Sequence, residues 1–306
     1  MGNTPLSSPQ QEYLVIAGPT ASGKSALAME VAKRFRGEII NCDSVQLYRG
    51  FNIGSAKPSR EEQAAVPHHL LDVVNAVENF DARCFAEATE TLIKKIRSHD
   101  RLPIVVGGTG LYLRALWRDN WHDLPKSESL RQELETWTND QLHAHLHEID
   151  PVRAAQLHRN DRFRLQRAVE IAKLTGKPLS EQTPKSDERN RAFAIRVLCP
   201  RPILEERSRQ RVDQMLAAGL IHEVRQLLAA GIDPQCKPMQ SIGYAQVVEF
   251  LAGKITEAEL PEQIHIATRQ YAKRQETWFK KVAFDATWTS GSSIEPLLQN
   301  LRESGF

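Results

Sequence analysis

The chain has 306 residues, 41% of them hydrophobic, enough to bury one large core or a core plus a smaller unit, which excludes a wholly disordered protein. Forty basic against thirty-eight acidic side chains leave a net charge of +2, so overall balance points to no class of partner and local clusters must do so. Cys42, Cys84, Cys199 and Cys236 stand singly without metal-type spacing, Met1 to Gln11 lacks the apolar core of a signal peptide, and no apolar run approaches the ~20 residues that span a bilayer. The expectation is a reduced, cytoplasmic protein with no membrane segment.

In chain order, Tyr13-Leu14-Val15-Ile16-Ala17 predicts a strand, and Ser25 to Phe35 a helix with Leu27, Ala28, Val31 and Ala32 on one face. Glu38 to Asp43 predicts a second strand ending in a carboxylate, Ala82 to Arg97 a helix, and Leu102 to Val106 a third strand closed by Gly107-Gly108. This alternation predicts an α/β fold, a parallel sheet flanked by helices with ligands at the carboxyl ends of its strands, just where Gly18, Asp43 and Thr109 fall. From Trp121 strand signals stop, and Ser129 to Glu148 and Asp150 to Thr175 read as helices. Phe193 to Leu198 returns to strand, ended by Pro200 and Pro202, and Ile203 to Lys281 is helical with a break at Gly231 to Pro238. The expected domains are a catalytic core of 1–120 and 190–306 and a helical insertion of 121–189.

Gly18-Pro19-Thr20-Ala21-Ser22-Gly23-Lys24-Ser25 fits G-x-x-x-x-G-K-[ST] between a predicted strand and a predicted helix, the context that a phosphate-binding loop requires. Its amides and the helix N-terminus attract an anion, Lys24 adds a charge, and Ser25 offers its hydroxyl to a magnesium ion shared with the phosphates. Kinases and nucleotide hydrolases share this cradle. A hydrolase strand ends in a magnesium-binding aspartate, whereas Ile104-Val105-Val106 ends in Gly107-Gly108-Thr109 and Leu70-Leu71-Asp72 is a poor substitute. On the loop alone a small-molecule or nucleoside kinase and a nucleotide-gated RNA-binding module both stay open. Adjacent histidines point apart on regular elements, so His68 and His69 fit a structural or pocket-wall role better than a metal site.

Four further stretches join the loop: Asp43-Ser44-Val45-Gln46-Leu47-Tyr48, Ile53-Gly54-Ser55-Ala56-Lys57-Pro58, Gly107-Gly108-Thr109-Gly110-Leu111-Tyr112, and Ala272-Lys273-Arg274-Gln275-Glu276-Thr277-Trp278-Phe279. With it they resemble the bacterial tRNA dimethylallyltransferases over about Leu14 to Lys280. The resemblance implies a P-loop NTPase-like core and transfer of a prenyl group from dimethylallyl diphosphate to N6 of the adenosine 3′ to the anticodon (position 37), in tRNAs reading codons that begin with U. It further implies a magnesium-dependent, monomeric enzyme that binds the anticodon stem-loop of its tRNA. Ser55 stands where that family usually has threonine, Phe51-Asn52 where it often has methionine and aspartate, and Gly110 where methionine is common, leaving room in the expected prenyl pocket.

By this resemblance Asp43 is the general base, Thr20 and Arg211 hold the departing diphosphate, and Ser44, Val45, Gln46 and Thr109 line the pocket for the target base. From residue type alone, Asp43 is equally a cap for the following turn and Arg211 a solvated helix charge. An adenosine stacked in an anticodon loop must be flipped out to reach a diphosphate, which calls for a basic grip. Phe163, Arg164, Leu165, Gln166 and Arg167 match the family's tRNA-binding segment, with Arg131 a further candidate. So do Gln240-Ser241-Ile242-Gly243-Tyr244 and, on the last long helix, Lys273, Arg274, Gln275, Trp278 and Lys280. Packing is the competing role for Leu165 and Trp278, and solvent exposure for the lysines.

Overall fold

The structure, a computed structural model, describes residues 11–117, 124–182 and 191–306, so the polar start and the boundaries expected at 120/121 and 189/190 lie outside the described residues. Tyr13–Ala17 forms β1, buried along its whole length as a strand covered by helices on both faces must be. There follow α1 (Lys24–Arg34), β2 (Gly37–Cys42), α2 (Arg60–Ala65), β3 (His68–His69), α3 (Ala82–Arg97), β4 (Leu102–Gly107) and α4 (Gly110–Trp117). Next come α5 (Glu128–Glu135), α6 (Asn139–Ile149), α7 (Pro151–Gln156), α8 (Arg162–Thr175) and α9 (Leu179–Gln182). The chain ends with β5 (Ala192–Leu198), α10 (Arg201–Ala217), α11 (Leu220–Ala229), α12 (Tyr244–Leu251), α13 (Leu260–Phe279), β6 (Ala286–Thr289) and α14 (Glu295–Glu303). Two compact units result, Met1–Trp117 with Arg189–Phe306, and Arg118–Glu188.

In the first unit six strands lie in the order β3-β2-β4-β1-β5-β6, every pair parallel. From β1 the chain passes over β4 to β2, and from β4 it passes over β1 to β5, so a crevice opens where the two connections diverge. Register sets the height of that crevice. Ala17 and Cys42 both pair with Gly107, so the loops starting at Gly18, Asp43 and Gly108 leave the sheet at one level. Leu14, Ile16, Ile104, Val106, Ile195 and Val197 point into a core shared with Leu27 and Val31 of α1 and Leu298 and Leu301 of α14. Each such side chain contributes about 1.5–3 kcal/mol by leaving water.

Among the described residues the second unit contains helices and no strand, packed around Leu134, Leu142, Leu146, Leu165, Val169 and Ile171. The two long helices expected there are each divided in the structure. Thr138 caps α6 through Gln141 N–H in a reciprocal capping box, and Asp161 caps α8 through Arg164 N–H. Sequence reading also passed over α4, which begins on a glycine, and β6, whose four residues alternate between half-buried and exposed. No helix among the described residues is long and apolar enough to cross a membrane.

Candidate active site

The phosphate loop leaves β1 at Gly18 and feeds α1. Ala21 and Gly23 both take positive φ, 61° and 88°. Glycine does this without steric cost, and a Cβ at Gly23 would lie 3.1 Å from Ser290 Oγ. Ser22 N–H donates to Pro19 O at 3.3 Å, and so does the Lys24 ammonium at the same distance. The first N–H groups of α1 have no acceptor within the helix, which makes its N-terminus an anion site. Burial, reinforced by the charge of Arg211, pushes the Lys24 ammonium down to about 8, and Asp43 and Cys42 pull the other way.

Arg211 of α10 reaches the same loop, its Nη1 donating to Thr20 Oγ1 at 3.4 Å. Burial lowers its guanidinium pKa and the Asp43 carboxylate opposes that shift. Arg211 is therefore not a freely solvated charge: it shares a charge cluster with Lys24 and Asp43. One turn earlier, Arg207 Nη1 donates to Ser290 Oγ at 2.6 Å beside Gly23, a second cation from α10 at the loop that sequence reading missed. The i, i+4 spacing of the two arginines on α10 was the available signal.

Asp43 follows β2. Its Oδ1 accepts the N–H of Val45 at 2.8 Å and of Gln46 at 3.3 Å, so it does cap the turn, and that fixes the direction of the carboxylate. Beside it Cys42 is buried, its thiol 3.9 Å from Thr109 O and pushed up by burial and by Asp43. Ser44 and Val45 are half-buried on the turn, but the Gln46 amide is committed to the carbonyls of Ser55 and Ala56, both at 3.0 Å. Tyr271 of α13 brings its hydroxyl against the Thr109 side chain, and burial together with Asp43 pushes that phenol up to about 12.

Trp278 lies over Gly110, where an added Cβ would meet its indole at 2.5 Å, and stacks on Trp117 at 6.4 Å and 12°. The room expected above Gly110 is thus already filled, which corrects the expectation of an enlarged pocket. Among the described residues no cluster of three or more His, Cys, Asp or Glu could hold a metal. His68 instead bonds Val66 O at 2.7 Å, and His69 bonds Glu38 Oε2 at 2.6 Å.

The IPP transferase family model matches residues 46–282. A tRNA dimethylallyltransferase of Geobacter metallireducens is 46% identical over 88% of this chain and 89% of its own length. That of Geobacter sulfurreducens is 41% identical over 96% and 98%. This chain belongs to the IPP transferase family. Among solved structures, the full-length tRNA isopentenylpyrophosphate transferase of Bacillus halodurans aligns with a TM-score of 0.70 at 38% identity, covering 96% of this chain and 95% of that one. A eukaryotic dimethylallyltransferase captured acting on tRNA aligns with a TM-score of 0.80 at 30% identity, covering 96% and 78%. The sheet is accordingly a P-loop-like core, as the sequence predicts.

In this IPP transferase family member the remaining candidates separate into exposed and committed side chains. On α13, Lys273, Arg274 and Lys280 just beyond it are exposed, with the Arg274 guanidinium 5.8 Å from the Tyr271 ring. Gln275 is the correction on this helix: it is 7% exposed, with both ends of its amide bonded inside the protein. In the turn before α12, Gln240 is exposed, and Ser241 and Ile242 are half-buried. Tyr244 is fully buried with its hydroxyl 2.6 Å from Glu223 Oε1, and Gly243 is buried beside it, so neither presents a surface to RNA.

Within the helical unit, Phe163 is 79% exposed and Arg164 is exposed, paired with Asp161 at 2.9 Å, while Gln166 is half-buried. Leu165 is fully buried and serves the core. Arg131 and Arg167 converge on the buried carboxylate of Glu170, at 2.9 and 2.5 Å, and Arg167 also holds the carbonyls of Leu124 and Pro125. Burial works to raise the Glu170 pKa, but the Ser127 N–H and these two guanidiniums outweigh it and hold the carboxyl low. Both arginines serve as internal ties, because removing either would leave a buried charge short of partners.

Proposed function

We propose that this chain transfers a dimethylallyl group from dimethylallyl diphosphate to N6 of adenosine 37, 3′ to the anticodon, in tRNAs reading codons that begin with U. The products are N6-(dimethylallyl)adenosine and diphosphate. The observation that carries the reading is a phosphate loop sharing one charge cluster with a strand-end carboxylate: Lys24 feels both Arg211 and Asp43. The naming of the relatives as tRNA dimethylallyltransferases supports it.

Chemically, the bond between the donor's first carbon and its diphosphate oxygen breaks while a bond forms from that carbon to N6. The leaving oxygens gain charge, which Lys24, Arg211, the Thr20 hydroxyl and the loop N–H groups of Ala21, Gly23, Lys24 and Ser25 stabilise. Asp43, its Oδ1 held by the turn, presents Oδ2 to the N6 proton. A magnesium ion bound with a diphosphate needs only one or two protein oxygens, and the exposed Ser25 on the first turn of α1 fits that demand. When bound, the ion offsets charge on the diphosphate. Thr109, Ser44 and the main chain of Val45 and Gln46 line the base site. Phosphate contacts come from Lys273, Arg274 and Lys280 of the core and from Arg164 of the helical unit, where Phe163 offers a face for stacking. Residues 121–189 form the tRNA-binding insertion of a monomeric, cytoplasmic enzyme, a compartment that suits four free cysteines.

The test is incubation with unmodified tRNA, magnesium and radiolabelled dimethylallyl diphosphate, with labelled ATP as the competing donor. Label enters tRNA from the prenyl donor alone and is lost in Lys24→Ala. Phosphate transfer from ATP in place of prenyl transfer would overturn the assignment in favour of a kinase.

A further inference from the structure

Helix α13 has two unlike faces: Lys273 and Arg274 look to solvent, and Gln275 looks inward. A buried primary amide is costly unless both its ends are satisfied. Here both are. Gln275 Oε1 accepts the Thr20 N–H at 2.8 Å, and Gln275 Nε2 donates to Gly108 O at 3.0 Å. One partner can only donate and the other can only accept, so the amide orientation is fixed. The fit leaves no slack, since a Cβ on Gly108 would fall 2.2 Å from Gln275 Nε2 and 3.0 Å from Gly18 O. Gly18 and Gly108 are the first residues past β1 and β4, so this one side chain laces together the two loops that flank the crevice. Thr20 is then held twice, its main chain by Gln275 and its hydroxyl by Arg211 at 3.4 Å.

We propose that Gln275 is a positioning residue for the diphosphate site, fixing the Thr20 turn of the phosphate loop so that Thr20 Oγ1 and the Arg211 guanidinium meet the leaving group together. It makes no contact with RNA. This rests on the reading that the loop holds the donor diphosphate. Because the tie comes from the helix that carries Lys273 and Arg274, the loop is set by the inner face of an element whose outer face grips tRNA.

The experiment uses the full chain as wild type, Gln275→Ala and Gln275→Met, the last keeping side-chain length and packing but neither hydrogen bond. Calorimetry with inorganic diphosphate and magnesium measures the loop directly, fluorescence anisotropy with an anticodon stem-loop measures RNA binding, and steady-state assays give KM for each substrate. Circular dichroism at the assay temperature verifies folding. The expected result is a roughly ten- to hundredfold weaker diphosphate affinity in both variants, matched by a rise in donor KM, with stem-loop affinity within about twofold of wild type. Wild-type diphosphate affinity in Gln275→Met would overturn the proposal, leaving Gln275 as a filler of space. Loss of RNA affinity with diphosphate binding intact would equally overturn it, returning Gln275 to the RNA surface. If the wild type itself binds no diphosphate, the donor reading of the loop falls, and the positioning role falls with it.

Discussion

In the proposed reaction Asp43 combines two duties that are usually opposed as alternatives, turn cap and proton acceptor. Its Oδ1 caps the turn through Val45 and Gln46, and the cap aims the other oxygen. Asp43→Asn keeps an acceptor for the cap but cannot take a proton, so it should hold stem-loop affinity and melting temperature while transfer falls about 10²–10⁴-fold. Asp43→Ala, which loses the cap as well, should also lower the melting temperature. Equal transfer in Asp43→Asn and wild type would remove Asp43 from proton transfer. Lys24 yields a pH prediction. With its ammonium at about 8 in the free protein, the charge is present below that value and lost above it. Diphosphate affinity should therefore be flat from pH 6.5 to 7.5 and then weaken toward about tenfold per pH unit above 8, followed by calorimetry up to pH 9.5. Lys24→Arg, which stays charged across that range, should abolish the bend.

At the scale of elements, the loop after β2 is held from a distance. The buried Glu223 carboxylate of α11 accepts the N–H groups of Asn52 at 3.2 Å, Ile53 at 2.9 Å and Gly54 at 3.4 Å, along with the Tyr244 hydroxyl. Lys57 completes the clamp through Tyr48 O at 2.9 Å and Asp72 at 2.6 Å. Glu223→Ala leaves those donors without their acceptor and should cost about 3 kcal/mol of unfolding free energy in urea titrations, with Glu223→Gln losing less. Strands β1, β2, β4 and β5 and the phosphate loop were legible because their signals are local: a continuous apolar run, then, after β1, fixed glycine spacing into a helix. Glu223, Tyr271 and Gln275 were not, because their partners lie on remote segments and only burial decides which side of an amphipathic helix carries the chemistry. Gln275 sits between Arg274 and Glu276 in a polar stretch, and nothing in that stretch says that it turns inward. Arg131 and Arg167 are the mirror case: their shared tie to the buried Glu170 could not be read from the chain, because the three residues meet only in the folded helical unit.

On the scale of the whole molecule, a net charge of only +2 means that RNA is gripped by patches rather than by the overall field. Lys273→Ala and Arg164→Ala, each removing one exposed cation, should weaken stem-loop binding and reduce the slope of log affinity against log salt by about 1. Unchanged slopes would take those residues off the interface. The sheet order was only partly legible: alternation announced parallel strands, but the edge position of β6 depends on pairing with β5 that no short-range signal encodes. A different consequence concerns timing. Thr20 and the Gln275 that holds it are 255 residues apart. At the ~5–20 residues added each second during synthesis, roughly ten seconds or more separate the making of the phosphate loop from the making of its latch. On the positioning role proposed for Gln275, a nascent chain that stops before α13 carries every residue of the loop motif but not its latch, so the donor site is set only when the last long helix has docked.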